Sequence, residues 1–320
     1  MSIRPAGRLA FSLAGGMASV LLIFICLIAG LILGRTKKLP LSASANLNTF
    51  ITHISLPALT LVQLHNVHLH PDMFFFVCTP WIVLGIAAAW FGLMSRWLNW
   101  DRKILGALIL CGGFGNTSFL GFPLLEAIFG PESLKTGILI DQLGSFLALS
   151  TAGILLASFF ASHATRPKTL IRRLFSFPPF LALIIALFFP ERWMHPFLLA
   201  GLERLASTLV PLALVSVGLQ LRVNTKGFKK YAQPLFVGLS FKLIIAPLLI
   251  FILILSGILK IRGEIAQVTV VEAAMAPMIT SSVLAAEYGL EPELVSLLLV
   301  IGILMSFLSV PIWSVIVQSL

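Results

Sequence analysis

The sequence predicts an all-α integral membrane protein of about ten transmembrane helices, arranged as two inverted five-helix repeats with broken, crossed fourth and ninth spans. Three observations predict it. Of 320 residues, 58% are apolar and 11% charged, against ~45–50% and ~25% in a soluble domain. A globular core cannot bury that much apolar surface, and so few charges cannot dress a wet exterior. The apolar residues fall into ten runs of spanning length, and prolines recur at a fixed shift of 154 residues. The composition excludes a soluble enzyme, a disordered chain and a disulfide scaffold.

The first run follows Arg4 and Arg8 and extends from Leu9 to Gly34. It is too long for a signal-peptide core of ~7–15 residues, so residues 11–34 are read as segment 1. Segments 2 to 10 follow at 45–64, 73–95, 104–129, 134–161, 171–189, 197–221, 231–257, 265–288 and 292–318. Most reach the ~20 residues a helix needs to cross the hydrocarbon. Alternating strand patterns are absent, which leaves helix as the spanning structure. Segment 2 is weakened by Asn46, Asn48, His53 and Pro57, and segment 6 by Pro178 and Pro179. The connections are short and leave no room for a separate soluble domain.

The formal charge is +10. Odd-numbered connections carry 14 of the 22 Lys and Arg residues, the other side carries 7, and Lys242 lies inside a span. Basic residues concentrate in cytoplasmic loops, so both termini are expected on the non-cytoplasmic side of a bacterial inner (plasma) membrane. Nucleic acid is not an expected partner, because no basic stretch is interleaved with stacking aromatics. Cys26, Cys78 and Cys111 all lie in apolar runs and read as buried thiols.

Pro57, Pro80 and Pro123 recur as Pro211, Pro234 and Pro277. The shift covers five segments, an odd number, so the second half must be inverted. The predicted repeats are 1–162 and 171–320. Inverted repeats with broken helices are a plan of secondary transporters.

Segment 4 contains Gly112-Gly113-Phe114-Gly115-Asn116-Thr117-Ser118-Phe119-Leu120-Gly121-Phe122-Pro123. Proline removes a donor and clashes with the preceding turn, and glycine disfavours helix by ~1 kcal/mol. A continuous helix is therefore poor here, although a glycine-packed kink is the plainer alternative. Segment 9 contains the partner break, Glu272 through Ser282 around Pro277. Two unwound stretches that cross would aim two half-helix N-termini at one point, forming an anion site from backbone N–H groups.

Ionisable groups inside spans are costly, which makes them candidates for function. Lys242 lies roughly 16 Å into segment 8 at 1.5 Å per residue. It either balances a bound carboxylate or substitutes for a coupling cation, or it pairs with Glu272 or caps the carbonyls of a broken helix. Glu272 is a candidate proton or cation site, with a structural ion pair as the alternative. Asp141 sits seven residues into segment 5, where snorkelling or a helix N-terminal role is expected. Glu126, Glu203 and Arg204 fall near segment ends and read as interfacial. The spacing of His65, His68 and His70 fits no established metal site, and no metal or other cofactor is expected. Hydrolase, zinc-protease and Walker motifs are absent, so no enzyme is predicted. No ATP-binding domain is present, so transport would run downhill or on an ion gradient.

These residues resemble the auxin efflux carrier family, which includes bacterial malate and malonate carriers and plant exporters. The likeness rests on Gly115-Asn116-Thr117-Ser118-Phe119-Leu120-Gly121-Phe122-Pro123, on Met275-Ala276-Pro277 followed by Ala285-Ala286-Glu287-Tyr288-Gly289, on the stretch from Lys242 to Pro247, and on Ser306 through Trp313. It implies a fold related to bile-acid symporters and sodium/proton antiporters. It implies a scaffold of segments 1, 2, 6 and 7, often dimeric, and a mobile transport domain of segments 3–5 and 8–10 that moves as an elevator. Asn116 matches a substrate contact of the family. On segment 5 the family often shows Asp followed four residues later by Asn, whereas this chain has Asp141 and Ser145. The long cytoplasmic loop of plant exporters is missing, so a compact prokaryotic carrier is the better likeness.

The expected function is a secondary active or facilitative transporter of a small organic anion, a carboxylate. The expected substrate contacts are Gly115, Asn116, Thr117, Ser118, Ser145, Lys242, Ala276 and Met278. Gly113, Gly121, Pro123 and Pro277 are expected to shape the crossover. Asp141, Glu272, Thr280 and Ser281 are candidates for proton or sodium coupling. A sodium-coupled symporter of the bile-acid type is the alternative, and a membrane-embedded transferase is a more distant one.

Overall fold

Apolar side chains on every face leave the backbone of each span no partner but itself, and helix follows. The computed structural model describes residues 6–36, 38–40, 42–65, 67, 73–161, 176–188, 194–221 and 227–320, with side chains from Leu21 onward. The helices are α1 (Ala6–Arg35), α2 (Ala43–Leu64), α3 (Met73–Leu98), α4 (Arg102–Gly113), α5 (Thr117–Phe129) and α6 (Ser133–Ala161). They continue with α7 (Pro178–Phe188), α8 (Pro196–Gln220), α9 (Phe228–Leu255), α10 (Gly263–Ala273), α11 (Ile279–Glu287) and α12 (Pro292–Ser319). Six of these, α2, α3, α6, α8, α9 and α12, are long and apolar enough to cross a membrane. Among the described residues there is no β-strand.

The predicted segments fall on these helices. Segments 4 and 9 are each split, into α4 with α5 and into α10 with α11. Segment 2 is not lost to its polar residues: α2 is helical throughout, with one wide turn at Ile51–Ser55. Segment 6 is seen as α7 alone, because residues 171–175 lie outside the described residues.

Prolines shape the interior. Three π-helical turns, Ile51–Ser55, Thr117–Gly121 and Phe241–Ile245, each end two residues before a proline: Pro57, Pro123 and Pro247. Proline cannot donate to the carbonyl four residues back and its ring crowds it; one extra residue in the turn accommodates the ring. Two orphaned carbonyls find side-chain donors instead. Trp313 Nε1 donates to Leu243 O, four before Pro247, at 2.9 Å, and Thr79 Oγ1 donates to Phe76 O, four before Pro80, at 2.5 Å. Two further π-turns, Ile140–Phe146 and Leu149–Gly153, widen α6.

Packing sorts the helices into two sets. α1 packs along α8, α7 along α2, and α2 along α8. The α1–α8 crossing is close because Gly30 and Gly218 meet: a Cβ on either would strike the other helix's main chain. The second set joins α3 to α4, α9 to α10, α4 and α10 to α6, and α12 to α9, α10 and α11. Contact between the sets runs through α5 against α1 and α8, and through α6 against α2 and α7.

Candidate functional site

The two breaks meet. Phe114 is extended at φ −116°, ψ 128°, as is Met278 at φ −68°, ψ 133°. The Asn116 N–H donates to Ala276 O at 2.8 Å and the Met278 N–H to Phe114 O at 3.1 Å, an antiparallel bridge centred on Gly115 and Pro277. The unwound backbone thereby satisfies itself, as it must away from water. Pro277 requires a glycine opposite: a Cβ on Gly302 would stand 2.5 Å from its ring.

Around this bridge the polar side chains form two groups. The first lines a cavity of about 380 Å³ and includes Ser118, Asp141 and Thr280, with Asn48 and Thr52 of α2, Ser150 of α6 and Glu287 of α11, beside Met278. Its walls are otherwise apolar, among them Phe119, Phe146 and Phe177; the last two rings stack at 3.8 Å. The second group surrounds a void of about 20 Å³ on Gly113, Gly115, Thr117, Ser145, Lys242 and Glu272, with Thr79 and Thr269. The N-terminal ends of α5 and α11 begin at this bridge, at Thr117 and Ile279.

Lys242 is 1% exposed, and its Nζ donates to Ala273 O, the last residue of α10, at 3.0 Å. Of the readings left open by sequence, the carbonyl cap is the one observed: no direct ion pair joins Lys242 to Glu272. A cation at a helix C-terminus opposes the negative dipole end. A Cβ on Gly115 would lie 3.1 Å from Lys242 Nζ, so glycine leaves room for the close approach of the ammonium here.

Asp141 corrects the sequence reading. It does not snorkel; it is 2% exposed and accepts a hydrogen bond from Thr117 Oγ1 at 2.5 Å. The π-turn Ile140–Phe146 turns it toward the crossover. Asn116 is fully buried, lines neither cavity, and its amide has no side-chain partner among the described residues. Ala276 contributes backbone, and Ser281 Oγ donates to Met278 O at 3.1 Å. Gly121 lies against Glu272, and Pro123 faces a different cavity, of about 430 Å³, with Glu126, Glu203, Gln63 and Ser207. Glu126 and Glu203, read as interfacial, thus line a cavity wall. His65 ends α2 with Nδ1 2.8 Å from Val62 O, while His68 and His70 lie outside the described residues.

Sequence reasoning passed over Gln142 and Thr60. Gln142 Nε2 donates to Thr60 Oγ1 at 2.6 Å, joining α6 to α2 across the boundary of the two helix sets. Both are polar residues in apolar segments, which was the available signal. Ser216, which donates to Asn48 Oδ1 at 2.5 Å, and Ser55, 2.7 Å from Thr208, bind α2 to α8 in the same way.

Apolar helices that bury two mutually bonded, polar breaks are the construction of a membrane transporter. The chain belongs to the family described as Membrane transport protein, the auxin efflux carrier family, which matches residues 16–314. It is 28% identical to an uncharacterized transporter of Methanothermobacter thermautotrophicus, over 94% of this chain and 98% of the relative. It is also 28% identical to an uncharacterized transporter of Methanocaldococcus jannaschii, over 83% of this chain and 87% of the relative.

Proposed function

We propose that this protein is a secondary transporter of a small organic anion, a carboxylate, carried at the crossover by an elevator-type movement. The observation that carries the reading is the bridge between the two breaks. It sets the N-terminal ends of α5 and α11 beside a cavity of about 380 Å³ lined by Ser118, Met278 and Thr280. Each helix end contributes roughly half a positive charge at the cavity; Lys242 lies outside its walls, in the second group, where its charge is set against Glu272. An anion is the ligand such an arrangement receives.

In this reading α4 with α5, and α10 with α11, each count as one span, giving ten in two inverted halves. α1, α2, α7 and α8 form the scaffold, through which two copies would pair, and the rest form the transport domain. The packing supports the division: α1 on α8 and α7 on α2 are the same contact exchanged between halves. The cavities support two routes of access. The one at the crossover uses the N-terminal half of α2 and the C-terminal half of α6; the one at Pro123 uses the opposite ends of both. With the basic connections in the cytoplasm, the crossover cavity opens inward and both termini lie outside, in a prokaryotic plasma membrane.

The test is uptake into proteoliposomes across a panel of mono- and dicarboxylates, with and without proton and sodium gradients. Accumulation or exchange of at least one acid is expected. Failure of every acid to exchange would overturn the anion assignment.

A further inference from the structure

Glu272 is unlike the other buried acid. It is 2% exposed, and neither carboxylate oxygen has a hydrogen-bond partner among the described residues. The carboxylate packs on bare backbone: a Cβ on Gly121 would lie 3.1 Å from both oxygens, and one on Gly137 3.3 Å from Oε1. The Asn116 carbonyl lies 3.3 Å from that same point beside Gly121. It accepts from the Gly121 N–H, so it brings a partial negative charge and no donor to the neighbourhood of the carboxylate. Asp141, in contrast, has its donor in Thr117.

The charged groups facing Glu272 from the neighbouring elements are Asp141 on α6 and Lys242 on α9. Lys242 is the one fully buried cation among the described residues, and its ammonium is directed at the Ala273 carbonyl. Two carboxylates against one ammonium leave an excess negative charge where charge is expensive.

We propose that Glu272 is a proton-binding site of the transport core, and that the proton it holds is the coupling ion of the carrier. The step is simple protonation: a proton from water bonds to one carboxylate oxygen, and the cluster becomes neutral. Sodium does not suit this place. A metal cation needs a shell of oxygen ligands, whereas none of the hydroxyls around the adjoining void, of Thr79, Thr117, Ser145 and Thr269, hydrogen-bonds the Glu272 carboxylate, and the Lys242 ammonium in the same group already supplies a positive charge. The proposal rests on the transport reading only for its consequence, coupling; the site itself stands on the geometry.

The experiment is infrared difference spectroscopy of the full-length chain in liposomes at neutral pH, with no substrate added. The wild type is expected to show the C=O band of a protonated carboxyl group. Glu272→Gln is expected to lose that band, Glu272→Asp to shift its frequency, and Glu126→Gln, at the cavity beside Pro123, to leave it in place. Exchanging choline chloride for sodium chloride is expected to leave it unchanged. Absence of the band in the wild type, its survival in Glu272→Gln, an unshifted band in Glu272→Asp, its loss in Glu126→Gln, or its removal by sodium would each overturn the proposal. The wild-type and Glu272→Asp arms decide the matter even if Glu272→Gln does not fold. Because no transported acid is needed, a negative result here leaves the anion reading standing, and a negative uptake screen leaves this site standing.

Discussion

Asn116 and Lys242 are both buried at the crossover, yet they should respond oppositely to truncation. The Asn116 amide is fully buried without a side-chain partner among the described residues. Removing an unsatisfied polar group costs little or is favourable. Asn116→Ala is therefore expected to unfold in detergent at or above the wild-type temperature while losing most of its uptake in proteoliposomes. Wild-type uptake would remove Asn116 from the substrate path. Lys242 satisfies the Ala273 carbonyl. Lys242→Met leaves that acceptor buried and unpaired, a cost of about 1–3 kcal/mol, and removes the positive charge among two acids. A lower unfolding temperature is expected, and an unchanged one would show that the cap is dispensable.

At the scale of elements, the breaks were legible because glycine and proline say where a helix cannot continue. Gly113, Gly115, Pro123 and Pro277 marked both of them. The π-turns were not legible in advance, since the same proline can kink a helix or widen the turn before it; the outcome depends on what meets the freed carbonyl, as Trp313 meets that of Leu243. Asp141 shows a second limit. Counting residues from a segment end assumes a straight helix normal to the membrane, whereas the turn at Ile140–Phe146 and the approach of Thr117 decide where the carboxylate lies. Close helix crossings are equally invisible in one sequence, and the α1–α8 contact is a case that can be tested. Gly218 opposes Gly30 with no room for a Cβ, and membrane helices associate largely through such packing. Gly218→Leu forces the helices apart and is expected to cost at least about 1–3 kcal/mol, read as a lower unfolding temperature. Gly201→Leu on the same helix, where a Cβ meets nothing within 4 Å, is the control and should be neutral.

At the scale of the whole molecule, the charge bias and the cavities make one joint claim about sidedness. Ser150 lines the crossover cavity and Ser207 the cavity at Pro123. In a chain whose own three cysteines have been replaced, Ser150→Cys should react with a membrane-impermeant thiol reagent only from the cytoplasmic side, and Ser207→Cys only from the other. The reverse pattern would overturn the orientation read from the basic connections.

The proposed sliding of one helix set past the other has a further consequence, because it must break whatever polar bonds join them. The Gln142–Thr60 hydrogen bond joins α6 to α2 in the conformation described, so it stabilises that conformation relative to any in which α6 has moved. Interhelical hydrogen bonds in membranes average about 0.6 kcal/mol, roughly a threefold change in an equilibrium constant. Gln142→Leu is therefore expected to shift the equilibrium constant by that factor away from the state open at the crossover cavity. The Ser150→Cys labelling rate follows the population of that state and should fall, by up to about threefold, while Ser207→Cys labelling should rise. Thr60→Val should reproduce the effect, and combining the two should add nothing, because either change alone removes the same bond. Labelling rates that stay at the wild-type value in all three variants would mean that α6 and α2 do not part company, and with that the elevator reading fails.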